Sequence, residues 1–226
     1  MTFHICPQNI AIEKRLRAFT RIPVYFSAGG LTQSGSDFPA ERQLMARASE
    51  KRQREFYSGR HQARLAMHRA GTPPTAVLRG ELGNPLWPAN VVGSITHDHS
   101  LAAAMVCPAN GVRGVGLDLI EDPDQVTDNL AEQIMHPNEA ALLQTLYPDL
   151  PAAGVAFSIK ESVVKAVSLF MGRYVDLLEI RLSRPGDTLL AEVDGLPDVL
   201  PCAVFPTEIG LITSCIYISK PGSRPR

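Results

Sequence analysis

Apolar residues along the chain fall into two kinds of spacing. Phe56, Ala63, Met67 and Ala70 recur at helical intervals, and Ile159, Val163, Val167 and Phe170 do so again. The first set predicts helical structure from Ala40 to Ala70, as two helices or one interrupted helix. Gly71 stops it, with Pro73-Pro74 beyond. The second set predicts a helix over Ala153 to Phe170, and weaker helical character covers Asp124–Met135 and Asn138–Tyr147. Short β-type runs occupy Thr75–Arg79, Val91–Thr96, Leu101–Cys107 and Gly114–Leu119. A second group occupies Leu177–Leu182, Thr188–Val193, Cys202–Phe205 and Leu211–Ile218. The Gly- and Ser-rich stretch 27–39 reads as a loop. Helix and strands followed by strand, helices and strands suggest two α+β lobes joined near Asn110-Gly111.

Composition narrows the function classes. The 226 residues are 45% hydrophobic and 20% charged, ordinary globular values that argue against disorder. A net charge of −1 gives no global reason to expect nucleic acid or an anionic membrane, so anion recognition must come from local clustering. Met1 to Ile10 lacks a basic segment followed by an apolar run, so no signal peptide is expected. The longest apolar stretch, Leu101 to Cys107, is too short to span a bilayer. Cys6, Cys107, Cys202 and Cys215 are scattered and read as reduced thiols of a cytoplasmic protein.

The chemistry concentrates in two segments. Asp118 leaves an apolar strand, where an uncompensated carboxylate is costly unless it meets water or a cation. Glu161 and Lys165 lie four residues apart in Phe157-Ser158-Ile159-Lys160-Glu161-Ser162-Val163-Val164-Lys165. A surface ion pair is the bland account of that spacing. With Asp118 beside it, two carboxylates from separate elements plus a cation suit Mg²⁺-assisted chemistry at a phosphate ester or pyrophosphate. In Thr96-His97-Asp98-His99 the two histidines share one side of an extended chain. A zinc pair is disfavoured for want of a third spaced ligand. A loop-tip histidine and a phosphate donor remain as readings. Residues 42–69 carry eight Lys and Arg, against Glu41 just before them and Glu50 and Glu55 within. A solvated helix face accounts for most of them. Arg52 and Arg60, eight residues apart, lie roughly 80° apart around a helix, so both can reach one anion.

These residues resemble the 4′-phosphopantetheinyl transferases of the larger, two-lobed type that serve siderophore, polyketide, nonribosomal-peptide and fatty-acid synthases. The nearest likeness is to the enterobactin-synthase-associated branch. The pattern runs in order through Arg52-Gln53-Arg54-Glu55-Phe56, Gly59-Arg60, Ala63-Arg64, Leu78-Arg79-Gly80 and Gly83-Asn84-Pro85-Leu86-Trp87-Pro88. It continues through Val92-Gly93-Ser94-Ile95-Thr96-His97, Gly116-Leu117-Asp118 and Phe157-Ser158 to Lys165-Ala166. It covers about residues 50–182.

The resemblance implies an α+β fold of two pseudo-symmetric lobes with the active site at their interface. Residues 1–111 would bind the coenzyme A nucleotide and 112–226 would carry the metal site. It implies transfer of the phosphopantetheine arm of coenzyme A to a serine of an acyl- or peptidyl-carrier protein, with 3′,5′-ADP as the other product. Arg52 and Arg60 would bind the 3′-phosphate side, the segment around Arg79 would line the nucleotide, and Thr96 and His97 would contact nucleotide or pyrophosphate. Asp118 and Glu161 would hold Mg²⁺, or Mn²⁺ in its place, and Lys165 would contact phosphate. Glu161 would be the base for the carrier serine, which makes Glu161, Lys165, Asp118 and His97 the catalytic set. Two lobes in one chain suggest a monomer with no nucleic-acid or membrane partner.

The family commonly has Asp-x-Glu where this chain has Asp118-Leu119-Ile120-Glu121. The second acid's place is held by Ile120, and Glu121 would face the opposite way. That leaves a two-carboxylate site with water in the third position. Two other functions compete: another CoA- or nucleotide-using transferase with an altered acceptor, and a non-catalytic carrier-protein or nucleotide-binding module whose metal site has decayed. Retention of Asp118, Glu161 and Lys165 together argues against decay.

Overall fold

The computed structural model describes residues 6–218. Residues 1–5 of the Met1–Ile10 stretch read above lie outside them. The chain divides between Asn110 and Gly111 into two compact units.

The first unit begins with α1 (Pro7–Thr20), which starts at a proline and ends on a left-handed Arg21 (φ 57°). β1 (Tyr25–Gly30), α2 (Pro39–Met45) and α3 (Glu50–Arg69) follow, with the Ser49 side chain capping α3 through the Arg52 N–H. A two-residue hairpin of β2 (Leu78–Arg79) and β3 (Pro85–Leu86) precedes β4 (Val91–His97) and β5 (Leu101–Pro108). The sheet order is β1-β5-β4, antiparallel throughout, and α3 packs across it. Phe56, Ala63 and Met67 of the expected stripe are fully buried.

The second unit comprises β6 (Gly114–Ile120), α4 (Asp128–Ile134), α5 (Glu139–Leu146), α6 (Ala152–Met171), β7 (Ile180–Ser183), β8 (Leu189–Val193), β9 (Leu200–Thr207) and β10 (Gly210–Tyr217). Its antiparallel sheet runs β6-β10-β9-β8-β7. Ile159, Val163 and Val167 of α6 are sealed in the core with Leu143, Val175, Ile180 and Leu200. Phe170 packs edge-on against Tyr217 at 4.9 Å between centroids. α6 stops at a left-handed Gly172.

The two units share a connection pattern. In each, the first strand pairs with the last, the last pairs with the strand before it, and a 20-residue helix packs on the result.

Several expectations need correction. α1 and β1 were not foreseen, and Ser27–Gly30 of the expected loop belong to β1. The run Thr75–Arg79 is strand only at Leu78–Arg79. Asp124–Met135 is broken into a 3₁₀ turn, Pro123–Gln125, and α4, because the Asp122 carboxylate takes the Asp124 N–H. Leu177–Glu179 is a 3₁₀ turn held by an Asp176–Glu179 capping box, and strand begins only at Ile180.

Candidate functional site

In the second unit the site arises from a close approach of backbones. A Cβ on Gly114 would lie 1.8 Å from the Ala166 carbonyl oxygen, and one on Gly116 would lie 1.6 Å from that of Ser162. Only glycine lets β6 lie this close to α6. Two strand residues advance about 6.7 Å and four helix residues about 6 Å, so the pairings keep step. The next pair in the series is Asp118 with Ser158, where the Ser158 hydroxyl donates to Asp118 Oδ2 at 2.9 Å. Lys165 Nζ donates to Asp118 Oδ1 at 2.6 Å and to the Leu117 carbonyl at 3.2 Å.

Asp118 does not stand at the end of its strand, where the sequence placed it. It is the fifth of seven strand residues and 6% exposed. The ammonium and hydroxyl supplied by α6 make that burial tolerable.

Glu161 lies one turn before Lys165 and is partly buried. Burial pushes its carboxyl above the usual carboxylate range. The Asp118 charge adds to that rise and the Lys165 ammonium opposes it. Two carboxylates that feel one another at a partly buried place are stabilised by a divalent cation, and an all-oxygen donor set suits Mg²⁺. Asp118 and Glu161 therefore fit a two-carboxylate Mg²⁺ site completed by water or substrate oxygens. Ile120, two residues beyond Asp118 on the same face, is buried and brings no oxygen. No cluster of three or more His, Cys, Asp or Glu side chains arranged for a metal occurs among the described residues.

In the first unit the cations gather around Arg60, which is only 8% exposed. Its guanidinium lies 3.8 Å from the Phe56 ring centroid, and its Nε donates to the Val77 carbonyl at 3.2 Å. Burial lowers its pKa to about 10; Arg52, Arg64 and Arg79 push the same way and Glu41 opposes them. Glu41 is fully buried and already binds Arg64 at 2.8 Å, the Val77 N–H and the Ser36 hydroxyl. Four guanidinium groups near one committed carboxylate make an anion-seeking cluster.

Arg52 Nη1 reaches Glu55 at 3.1 Å and His97 Nε2 at 3.1 Å. A guanidinium only donates, so Nε2 accepts and the imidazole proton sits on Nδ1. Thr96, beside it on β4, is buried. Arg79 lies exposed on β2. His97 closes β4 and His99 falls in the tight turn to β5, where the Asp98 N–H meets the Leu101 carbonyl, so the two histidines do not share an extended strand.

Sequence reasoning missed the polar supports. Glu41 was counted among helix-face charges. Lys160, inside the motif, is fully buried and bonds Glu139 at 2.8 Å and the Ile134 carbonyl at 2.6 Å, while Glu139 takes the His136 and Leu182 N–H groups. Its place one residue past Ile159 on the apolar stripe was the available signal. Glu13 likewise joins α1 to β1 and α3 through the Phe26 N–H and Arg69.

Residues 40–107 match the model of the 4′-phosphopantetheinyl transferase N-terminal domain, and residues 114–195 match that of the 4′-phosphopantetheinyl transferase superfamily. 4′-Phosphopantetheinyl transferase Npt of Nocardia iowensis is 35% identical over 145 residues, 64% of this chain and 65% of that protein. 4′-Phosphopantetheinyl transferase PptT of Mycobacterium tuberculosis is 36% identical over 144 residues, 63% of this chain and 61% of the relative. Enterobactin synthase component D of Salmonella typhimurium is 36% identical over 123 residues, 54% of this chain and 50% of the relative. The aligned part thus spans between half and just under two thirds of these relatives. With both of its units matched in order, the chain belongs to the 4′-phosphopantetheinyl transferase superfamily.

Proposed function

We propose that the chain transfers the 4′-phosphopantetheine arm of coenzyme A to a serine of an acyl- or peptidyl-carrier protein and releases 3′,5′-ADP. The observation that carries this reading is the Asp118–Lys165–Glu161 arrangement: a carboxylate paired with an ammonium, beside a second carboxylate of raised proton affinity. In the balanced reaction the serine Oγ forms a bond to the phosphorus of the phosphopantetheine phosphate. The bond from that phosphorus to the bridging oxygen breaks, and 3′,5′-ADP leaves with the electron pair. Glu161 takes the serine proton, directly or through water. The Lys165 ammonium offsets charge growing on the pyrophosphate oxygens. Asp118 and Glu161 would hold Mg²⁺, or Mn²⁺, which supplies Lewis-acid neutralisation of the pyrophosphate when bound.

The arginine cluster of residues 1–111 takes the adenosine side in this reading. Arg60 and Arg52 bind the 3′-phosphate, with Arg79 along the nucleotide and Thr96 and His97 towards the pyrophosphate. A phosphate dianion among Arg60, Arg52, Arg64 and Arg79 would relieve the repulsion that depresses Arg60. Residues 112–226 carry the metal and the base. The acceptor is a carrier protein or domain of a siderophore, polyketide, peptide or fatty-acid synthase in the cytoplasm, met by a monomer.

Incubating the protein with CoA, Mg²⁺ and an apo carrier protein and measuring carrier mass tests the proposal. A gain equal to the phosphopantetheine arm, with 3′,5′-ADP in equal amount, is the expected result. CoA binding without a mass change on any of several apo carriers would favour a non-catalytic module instead.

A further inference from the structure

Beneath Asp118 lie three hydroxyls, on Ser158, Ser162 and Thr213, all fully buried. Buried hydroxyls are costly unless each is hydrogen-bonded, and these form a connected set. Thr213 is the β10 residue directly opposite Asp118 in the β6–β10 register. Ser158 and Ser162 sit one turn apart on α6. Thr213 Oγ1 lies 2.9 Å from Ser158 Oγ and 2.7 Å from the Ser158 carbonyl oxygen. Ser162 Oγ lies 2.8 Å from Thr213 Oγ1 and 3.1 Å from the Thr213 carbonyl oxygen.

Proton counting gives this set a direction. The Asp118 carboxylate, with the Lys165 ammonium at 2.6 Å, can only accept, so the single Ser158 hydroxyl proton goes to Oδ2. Thr213 Oγ1 then donates to the Ser158 carbonyl at 2.7 Å or to one of the two serine hydroxyls, and Ser162 Oγ donates to Thr213, at Oγ1 or the carbonyl. Ser158 is the member that donates to Asp118, and Thr213 meets both its hydroxyl and its carbonyl. Without Thr213, a helical serine such as Ser158 is free to turn and donate to the carbonyl one turn back. Thr213, in contact with both the hydroxyl and the carbonyl oxygen of Ser158, holds that serine in the rotamer that faces Asp118.

We propose that Thr213 is a positioning residue for the reaction: through Ser158 it fixes the orientation of the Asp118 carboxylate and so sets how well that carboxylate holds the cation. This rests on the reading of Asp118 as a metal ligand. Thr213 lies outside both matched segments, 40–107 and 114–195, and outside every motif read from the sequence.

The test compares Thr213→Val, which keeps the shape and removes the hydroxyl, with Thr213→Ser, which keeps the hydroxyl. Mn²⁺ binding is followed by the electron paramagnetic resonance signal of the free ion in the presence of CoA, alongside Mg²⁺ titration of transfer. Partners that orient a metal ligand typically change metal affinity by 10–100-fold, so Thr213→Val should weaken Mn²⁺ by about tenfold, with Thr213→Ser restoring it. The KM for CoA should stay near wild type. Wild-type Mn²⁺ affinity and Mg²⁺ midpoint in Thr213→Val would overturn the inference, whatever its melting temperature does. If that variant fails to fold, Ser158→Ala carries the same expectation and the same refutation. Asp118→Asn separates the two levels: if it binds Mn²⁺ like wild type, the metal-ligand assignment fails. If it binds weakly while Thr213→Val binds normally, only the role of Thr213 fails.

Discussion

Substituting Gly116 with alanine tests whether the approach of β6 to α6 builds the site. The new methyl would sit 1.6 Å from the Ser162 carbonyl oxygen and 2.5 Å from its carbon, both backbone atoms that no rotamer change can move. An ordinary carbon–oxygen contact is about 3.3 Å, so strand and helix must separate by about 1.7 Å. The Ser158–Asp118 and Lys165–Asp118 bonds, at 2.9 and 2.6 Å, would open beyond hydrogen-bond range under such a shift. Overpacking of this kind costs about 1–3 kcal/mol. For a chain of this size that means a melting temperature lower by roughly 2–12 °C. Displacing catalytic groups by 1 Å costs about 100-fold in rate, so transfer should fall by about that factor or more. Gly186→Ala is the control, since a Cβ there meets nothing within 4 Å. Differential scanning calorimetry and the carrier-mass assay read the two effects. A Gly116→Ala protein with wild-type melting and transfer would refute the account of how Asp118 is placed.

Glu161→Gln should abolish transfer and raise stability at pH 7. Its folded-state pKa lies above the unfolded one, so the ionised carboxylate destabilises the fold increasingly as pH rises past about 4.3, and the gain from Gln should vanish below that pH. Lower stability of the Gln variant in urea unfolding at pH 7 would contradict this. Arg60→Ala should weaken CoA by roughly 1.5–3 kcal/mol and dephospho-CoA much less; equal losses in calorimetric titrations would return Arg60 to a purely structural role under Val77. Lys160→Met should cost about 3–5 kcal/mol by stranding Glu139, and a second change, Glu139→Gln, should recover part of it in denaturant unfolding. Ile120→Glu should shift the Mg²⁺ dependence of transfer to lower concentration; an unchanged midpoint in a folded variant would show that residue 120 does not reach the cation.

What was legible from the sequence depended on how local the determinant was. The stripes Phe56–Ala63–Met67 and Ile159–Val163–Val167 announced α3 and α6, because their buried faces repeat at the helix period and each element is long enough to show it. α1 was not legible. Its buried apolar residues are just Ile12 and Leu16, and what ties it to its unit is Glu13, whose partners Phe26 and Arg69 lie 13 and 56 positions away. β1 was hidden by Gly29 and Gly30, which read as loop residues until one sees their pairing with Leu101 and Ala102. The start of α4 and the start of β7 were misjudged where side chains of Asp and Glu compete for backbone N–H groups.

The site followed the same rule at closer range. Asp118, Glu161 and Lys165 carry charge in apolar surroundings, and a charge is conspicuous in a sequence. Their supports do not stand out. Ser158, Ser162 and Thr213 are common residues whose meaning appears only once Gly114 and Gly116 bring α6 onto β6 and β10 brings Thr213 opposite Asp118. Those glycines were visible as motif letters, yet the length they set, a helix backbone touching a strand backbone, is a three-dimensional quantity. A carboxylate in a strand was expected to meet water or a cation; a lysine 47 positions on supplies the cation, and a serine 40 positions on adds a hydroxyl. A motif letter marks where charge is needed; the small residues beneath it decide how firmly that charge is held, and they are where substitutions should alter metal affinity without touching the metal.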